Sequence, residues 1–389
     1  MPSATPNPEP DTATLAADPD FRLRWHPQLL LVEARQLEGR FGRSSSQWAN
    51  AWELLLTEAF EGAIPAERFT RLHIGGGVGA AIFGAAPTLH TQAEQHRFAS
   101  AIMTVALSFQ EPGSLRALWS ERTMASTAVR VPPSPSWARR QIVERVRDLE
   151  RRGYFVPVTG EDCVDSHEEV APLQDVVASR MRRSLNWDAG HPDGWSDADF
   201  FDAIEVLHQL VQRPATQSYH SYSSCGWHHT NFSCASGQRV FRYFINRVLD
   251  TSEVPFRVAT SGADVGCMTR RGSAEHQVAV ERVLVRGPQA ERDAREHTIQ
   301  LYRSRGSTLE DRRSATNTLA RLLEARKELI KETLTKRGAD PLFEMLNRWD
   351  VRHNREDQIR DYDPAFLDWL FLNCLSTLDL FDALEDREP

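Results

Sequence analysis

Apolar positions along this chain recur mostly at helical spacing. Between residues 21 and 60, tryptophans and leucines return every three or four positions, which predicts two helices. The same period predicts further helices at 91–110, at 137–152, from the cap Ser196 to just before Pro214, and at 238–249. Short apolar or alternating runs predict strands at 154–158, 256–259 and 278–285. The predicted fold class is therefore mainly α, with an N-terminal α-rich region that contains short strands.

The C-terminal part of the chain has the clearest pattern. A helix of about thirty residues is predicted from Ser307 to a stop at Gly338, and Asp340-Pro341 then opens a shorter helix. Asp363-Pro364 opens a last helix that is apolar on nearly every side. Such a helix lies at the centre of a bundle or in a subunit interface, so we predict a C-terminal helical bundle and a homodimer.

These patterns suggest four segments. Residues 1–20, rich in proline and acids, are predicted to be a disordered leader. An N-terminal α-rich domain follows at 21–160, then a middle α+β domain with a Cys/His-rich loop at 170–286, and the helical bundle at 290–389.

Charge and cysteine content narrow the class of protein. The 389 residues hold 46 Lys+Arg against 54 Asp+Glu, a net charge of −8, which argues against a generally basic nucleic-acid coat. Residues 284–360 nevertheless hold 17 basic and 13 acidic side chains, or +4. Five cysteines are too few for a disulfide framework and fit a reducing compartment. With neither a signal peptide nor a membrane span in the pattern, we predict a cytoplasmic protein without membrane contact.

The strongest candidate for chemistry is the run from Arg348 to Asn354, which includes His353. Arginine offers phosphate a planar fork of donors, and histidine can transfer a proton near neutral pH. The alternative is a solvated turn with Trp349 in the core. Five helical steps leave Arg348 and His353 about 140° apart on a continuous helix. They converge only if the helix ends near Asp350 or if two subunits combine their residues.

The motif Arg348-x4-His353, the run Arg352-His-Asn354 and the apolar last helix together resemble the HEPN superfamily. The string VRHN…DYDPAFLDWLFLNCLSTLDLF is similar to bacterial HEPN-type proteins associated with abortive infection. The resemblance covers about residues 307–386. It departs from the family pattern at Trp349, where a polar residue is usual.

Membership in that superfamily would imply a metal-independent endoribonuclease acting in antiphage defence or as a toxin. His353 would be the acid/base and Arg348 would stabilise the transition state, while Arg352, Asn354 and Arg355 would contact RNA phosphates. The expected partners are RNA, a second copy of the chain, and an antitoxin or defence-system protein. No cofactor is expected. Two alternatives stay open, a non-catalytic sensor or interaction subunit with a dimerising bundle, and a DNA-binding regulator.

Residues 219–237 are rich in Ser, His, Cys and Gly and are predicted to be a long fixed loop. His220, Cys225, His228 and Cys234 are residue types that bind zinc, and Cys225-x2-His228 is compatible with a chelate. The spacing from Cys225 to Cys234 matches no recognised zinc motif. We therefore interpret the loop as structural and metal-free, and these four residues as weak metal candidates.

Two further patterns have simpler explanations. The glycine-rich run 75–79 and Ala80 satisfy a relaxed dinucleotide fingerprint, Gly75-x-Gly77-x-x-Ala80, but no strong strand precedes it, which favours a turn or close packing. The arginine-rich helix at 137–152 interleaves acids with its basic residues, which is typical of a solvated face rather than of a DNA-reading helix.

Overall fold

The structure is a computed structural model that describes residues 12–42, 46–71, 89–110, 132–161, 163–164, 170–183, 194–222, 225–271, 274–286, 289–304, 306–348 and 363–386. Most of the described residues lie in helices. The strands found in these ranges form two short antiparallel pairs. The predicted mainly α fold class is confirmed. Across the described ranges, every helix is too short or too polar to cross a bilayer.

The chain divides into two compact units, each assembled from separate segments. The first unit comprises Met1–Val131, Val143–Gly190 and Gln209–Tyr243, and the second comprises Pro132–Ile142, His191–His208 and Phe244–Pro389. Each unit therefore depends on contacts between residues far apart in sequence. The four predicted segments stay a prediction, except that part of the leader is ordered. Residues Thr12–Ala17 form a helix (α1) whose Leu15 is buried.

The first unit is mainly helical. After α1 come α2 (Pro27–Arg40), α3 (Ser46–Ala59), α4 (Ile64–Arg71), α5 (Leu89–Val105), α7 (Val156–Thr159) and α8 (Leu173–Met181). Three helices contain unit boundaries, namely α6 (Pro135–Arg151), α9 (Asp197–Leu210) and α10 (Cys234–Asp250). The helices predicted from periodicity in this part of the chain are confirmed. The predicted cap of α9 is confirmed too, because Ser196 Oγ accepts the Asp199 amide over 3.1 Å.

Buried tryptophans organise the core of the first unit. Trp48 and Trp52, one turn apart on α3, are almost fully buried. Both indole N–H groups donate to Glu38 Oε1, over 2.8 and 2.9 Å. A single carboxylate oxygen on α2 thus satisfies the polar atoms of two core side chains and ties α2 to α3.

A β-hairpin stands where a long loop was predicted. Strand β1 (Thr216–His220) pairs antiparallel with β2 (Gly226–Thr230), and α10 begins at Cys234. The loop prediction for 219–237 is wrong. The strands of this hairpin consist mostly of polar residues, so they lack the alternation of apolar and polar side chains by which a strand is recognised. Tertiary contacts support the hairpin instead. The Asn50 side chain accepts from the Gln217 amide over 2.7 Å and donates to the Gln217 carbonyl over 2.8 Å.

The predicted strand at 154–158 is also wrong. Tyr154 and Phe155 are buried in a turn, and Val156–Thr159 form the short helix α7. Gly153 has a φ of +77°, which ends α6 and turns the chain. The apolar run therefore reflects burial of two aromatic residues rather than strand pairing.

The second unit is built around a helical core. Its helices are α11 (Ala274–Val285), α12 (Gln289–Arg303), α13 (Leu309–Ala325), α14 (Lys327–Arg348) and α15 (Pro364–Glu385), and β3 (Phe256–Val258) pairs with β4 (Met268–Arg270). The apolar helix α15 packs against α11 and α13, and its Leu370, Cys374 and Leu378 are fully buried. The predicted central position of this helix in a bundle agrees with these contacts. Asp363 caps it by accepting the Ala365 amide over 2.8 Å.

Three predictions for this unit are wrong. The alternation of valines at 278–285 predicts a strand, but these residues lie in α11, where Val280 and Val283 are buried one turn apart and Val285 is exposed. The sequence predicts that the long helix stops at Gly338. It breaks earlier, at Arg326, and α14 then continues through Pro341, so the helix start predicted at Asp340-Pro341 is wrong as well. The side chain of Arg326, the residue at the break, enters a buried ion-pair network with Asp382.

Candidate metal centre and the C-terminal arginine–histidine motif

The C-terminal motif falls mostly outside the described residues. Arg348 is the last residue of α14. Arg352, His353, Asn354 and Arg355 lie in the segment 349–362, between α14 and α15, which the structure does not describe. Convergence of these groups is therefore untested.

The helices that flank this segment share one core. Phe343 and Leu346 of α14 are buried in the same apolar cluster as Leu367 and Leu370 of α15. The residues on either side of the motif are thus held by packing in one helical core.

Four side chains converge in the first unit. The donor atoms of Cys163, His220, Cys225 and His228 all lie within 4.8 Å of one another, and each residue is half-buried. We call these four the Cys2His2 cluster. Three of them are among the weak metal candidates of the sequence analysis.

The fourth weak candidate, Cys234, is replaced by a residue that sequence reasoning missed. Cys234 is the exposed first residue of α10 and is not in the cluster, whereas Cys163 is. Cys163 lies 57 residues before its neighbour His220. It stands alone in a polar stretch, so no local spacing could reveal its role, whereas the three hairpin residues lie close enough in sequence to be recognised.

Hairpin geometry brings three of the four residues together. His220 ends β1 opposite Gly226, and His228 lies two residues further along β2. Because strand side chains alternate, His220 and His228 occupy the same face. Gly226, with a φ of +97°, is in a conformation that side chains rarely adopt, and it turns the chain directly after Cys225.

The distances pair each sulfur with an imidazole. Cys225 Sγ lies 3.2 Å from His228 Nε2, and Cys163 Sγ lies 3.7 Å from His220 Nδ1. The two histidine rings are 5.4 Å apart between centroids. All five cysteines of the chain are described, and they are thiols rather than disulfides. Soft sulfur and imidazole donors in equal number suit zinc.

Glu161 orients the hairpin side of the cluster. Its Oε2 lies 3.2 Å from His228 Nδ1, on the side of the ring opposite the sulfur. Its Oε1 accepts the His229 amide over 3.1 Å and lies 3.2 Å from His229 Nδ1. The His229 ring in turn packs on Gly153, where a Cβ would come within 2.4 Å of it. The end of α6 is therefore shaped to receive the hairpin.

Other predicted sites have simpler surroundings. The glycine run 75–79 lies outside the described residues. On α6, Arg147 pairs with Glu144, and Arg152, just after the helix, pairs with Asp148. Such pairs agree with a solvated face.

No protein-family model, no curated protein and no solved structure matches this chain. The resemblance to the HEPN superfamily therefore stays a prediction based on the motif residues.

Proposed function

We propose that this chain is a metal-independent endoribonuclease of HEPN type, acting in the bacterial cytoplasm in antiphage defence or as a toxin. The observation behind this proposal is the position of the motif. Arg348 and His353 stand at and after the end of the described part of α14, and the helices on both sides pack into one all-α core. An arginine–histidine motif before the last helix of a bundle is what the resemblance implies.

The proposed chemistry needs no metal. The 2′-hydroxyl oxygen attacks the adjacent phosphorus while the bond to the 5′ oxygen breaks, leaving a 2′,3′-cyclic phosphate and a 5′-hydroxyl. His353 takes the 2′ proton or protonates the leaving oxygen, a contribution typically of about 10²–10⁴-fold. Arg348 offsets the charge that grows on the phosphorane oxygens. Arg352, Asn354 and Arg355 would hold neighbouring phosphates, supported by the local excess of 17 basic over 13 acidic residues in 284–360.

The second candidate is a non-catalytic interaction subunit in which the bundle forms a homodimer. One observation favours it. Trp369 and Leu380 of α15 are exposed by 46% and 45%, although the helix buries its opposite face in the core. A second copy of the chain, or an antitoxin or defence-system protein, would cover these side chains.

RNA cleavage by the full-length protein decides between the two candidates. Purified protein is incubated with total RNA in EDTA, and the cleaved ends are mapped. Because EDTA can also remove a metal from the Cys2His2 cluster, a parallel reaction omits both chelator and divalent ions. We expect 2′,3′-cyclic phosphate ends in both reactions.

Variants assign the roles. His353→Ala and Arg348→Ala should each reduce kcat by at least about 100-fold. Arg352→Ala should mainly raise KM, and Arg321→Ala, at an exposed position of α13, should change neither. If Arg352 proves essential and Arg348 does not, the motif is placed four residues too early. Full activity in the first three variants would exclude this nuclease site and leave the interaction subunit.

A further inference from the structure

We infer that Cys163, His220, Cys225 and His228 bind one structural zinc ion in the first unit. This site is separate from the proposed nuclease, whose residues belong to the second unit. It also replaces the metal-free interpretation of this segment that the sequence alone favoured.

The donor spacing fits a tetrahedron. Zinc bonds of about 2.3 Å to sulfur and about 2.0–2.1 Å to nitrogen place the sulfur and nitrogen donors of a tetrahedral site about 3.6 Å apart. The two sulfur–nitrogen distances of the cluster, 3.2 and 3.7 Å, lie on either side of that value. Four protein ligands complete the usual coordination of zinc, which is typical of a structural site rather than a catalytic one.

The tautomer of His228 supports the same conclusion. Glu161 Oε2 lies 3.2 Å from Nδ1, which favours the tautomer with the proton on Nδ1, and Nε2 faces the sulfur of Cys225 as the metal-binding nitrogen would. A carboxylate that holds a metal-binding imidazole from behind is a recurring arrangement in zinc sites. Glu161 is therefore a positioning residue.

Cys225, His228 and Glu161 could also form a nucleophile–base–orienter triad. The remaining pair argues against that alternative. Cys163 and His220 bring a second thiol and a second imidazole to the same point, within 4.8 Å. A cysteine nucleophile needs neither of them, whereas a four-coordinate metal needs both.

The zinc ion would connect two distant parts of the first unit. Cys163 lies between α7 and α8, and the other three ligands belong to the β1–β2 hairpin. An isolated two-stranded hairpin is marginally stable in water. Metal binding by ligands that meet only in the folded chain adds its free energy to folding.

Metal content of the full-length protein tests the site. After exhaustive dialysis, elemental analysis should find about one zinc per chain in the wild type. Cys163→Ser should retain less than about one tenth of that amount. Cys234→Ser is the matched control and should keep the wild-type content, because Cys234 lies outside the cluster. Wild-type protein that neither contains zinc nor takes it up on titration would overturn the proposal, as would full zinc content in Cys163→Ser.

Two measurements keep the test decisive if Cys163→Ser fails to fold. Cobalt added to metal-depleted wild type should give the absorption of a tetrahedral thiolate complex, and Glu161→Gln should weaken the metal affinity by about 10–100-fold while keeping that spectrum. In the zinc-loaded protein, alkylation should modify Cys234 but spare Cys163 and Cys225 until a chelator is added. Rapid alkylation of Cys225 without loss of zinc, or an octahedral cobalt spectrum, would contradict the assignment. Each of these readouts is independent of RNA cleavage.

Discussion

The two units bury ion-pair networks of opposite composition. In the first unit one arginine, Arg213, lies between two glutamates. Its Nε donates to Glu58 Oε2 over 2.6 Å, and its Nη1 lies 3.6 Å from Glu33 Oε2. In the second unit one carboxylate, Asp382, lies between Arg295 and Arg326, each of which donates to it over 2.6 Å. The central group of each network therefore lies between two like charges, which it attracts and keeps apart.

The networks differ in what remains when the central group is removed. In the second unit Glu291 accepts hydrogen bonds from both arginines, over 2.8 and 3.0 Å. In the first unit Arg239 donates to Glu33, and Arg213 is the arginine paired with Glu58. Because Glu291 still pairs with both arginines when Asp382 is removed, the second unit should lose less stability than the first unit loses when Arg213 is removed.

Removal of Arg213 should therefore have the largest effect. Arg213→Met leaves Glu33 and Glu58, both almost fully buried, without their common counter-charge. We expect a loss of about 3–5 kcal/mol in the free energy of unfolding, measured by urea denaturation. Arg22→Met, which breaks an exposed pair with Glu61, is the control and should cost at most about 1 kcal/mol. Equal losses in the two variants would show that the buried network adds nothing specific.

Removal of Asp382 should have a smaller effect, confined at first to the second unit. Asp382→Asn leaves Arg295 and Arg326 with Glu291, and we expect a loss of about 2–4 kcal/mol. Hydrogen exchange should increase in peptides of α12 and α15. Asp379→Asn, one turn earlier on α15 with two arginines at the surface, should change the exchange little. Loss of protection throughout the first unit as well would show that the units unfold together.

The smallest expected effect is a change in how the free energy of unfolding depends on pH below about pH 4, caused by the carboxyl group of Asp382. Burial alone would raise the pKa of Asp382, but hydrogen bonds from Arg295 and Arg326 outweigh burial and lower it. A lowered folded-state pKa stabilises the protein above the unfolded value of about 3.9, and this contribution disappears as the pH falls through the folded pKa. The stability difference between wild type and Asp382→Asn should therefore shrink below about pH 4. A difference that stays constant from pH 7 to pH 3 would contradict this cause.

Local signals in the sequence were sufficient for most helices and their starts. The serine before α9 and the Asp363-Pro364 pair before α15 predicted both helix starts, because a cap is a contact between near neighbours. The apolar residues on nearly every side of α15 likewise predicted that the helix is buried in the core. In contrast, the valines of α11 fit both a strand and a helix, and only packing against α15 decides between them.

The candidate metal site could be predicted only in part. Cys225 and His228 are three residues apart, so their pairing was visible. Cys163 reaches the cluster only because Glu161 and Gly153 bring the end of α6 and the following segment against the hairpin. That contact joins residues more than fifty positions apart, and no periodicity encodes it. The arginine–histidine motif shows the reverse case, since its residues are close in sequence and their convergence is untested.

Pro341 gives α14 an uneven stiffness along its length. Proline lacks the amide proton that would close the helical hydrogen bond to the carbonyl of residue 337, and its ring crowds that carbonyl. The helix should therefore bend more easily at this turn than elsewhere along its length. The two turns that follow Pro341 end at Arg348. Phe343 and Leu346 anchor these two turns to the core, and Arg348 of the proposed nuclease site stands at their end. A change in the direction of these two turns should therefore cost less free energy than a change in the direction of the helix before Pro341.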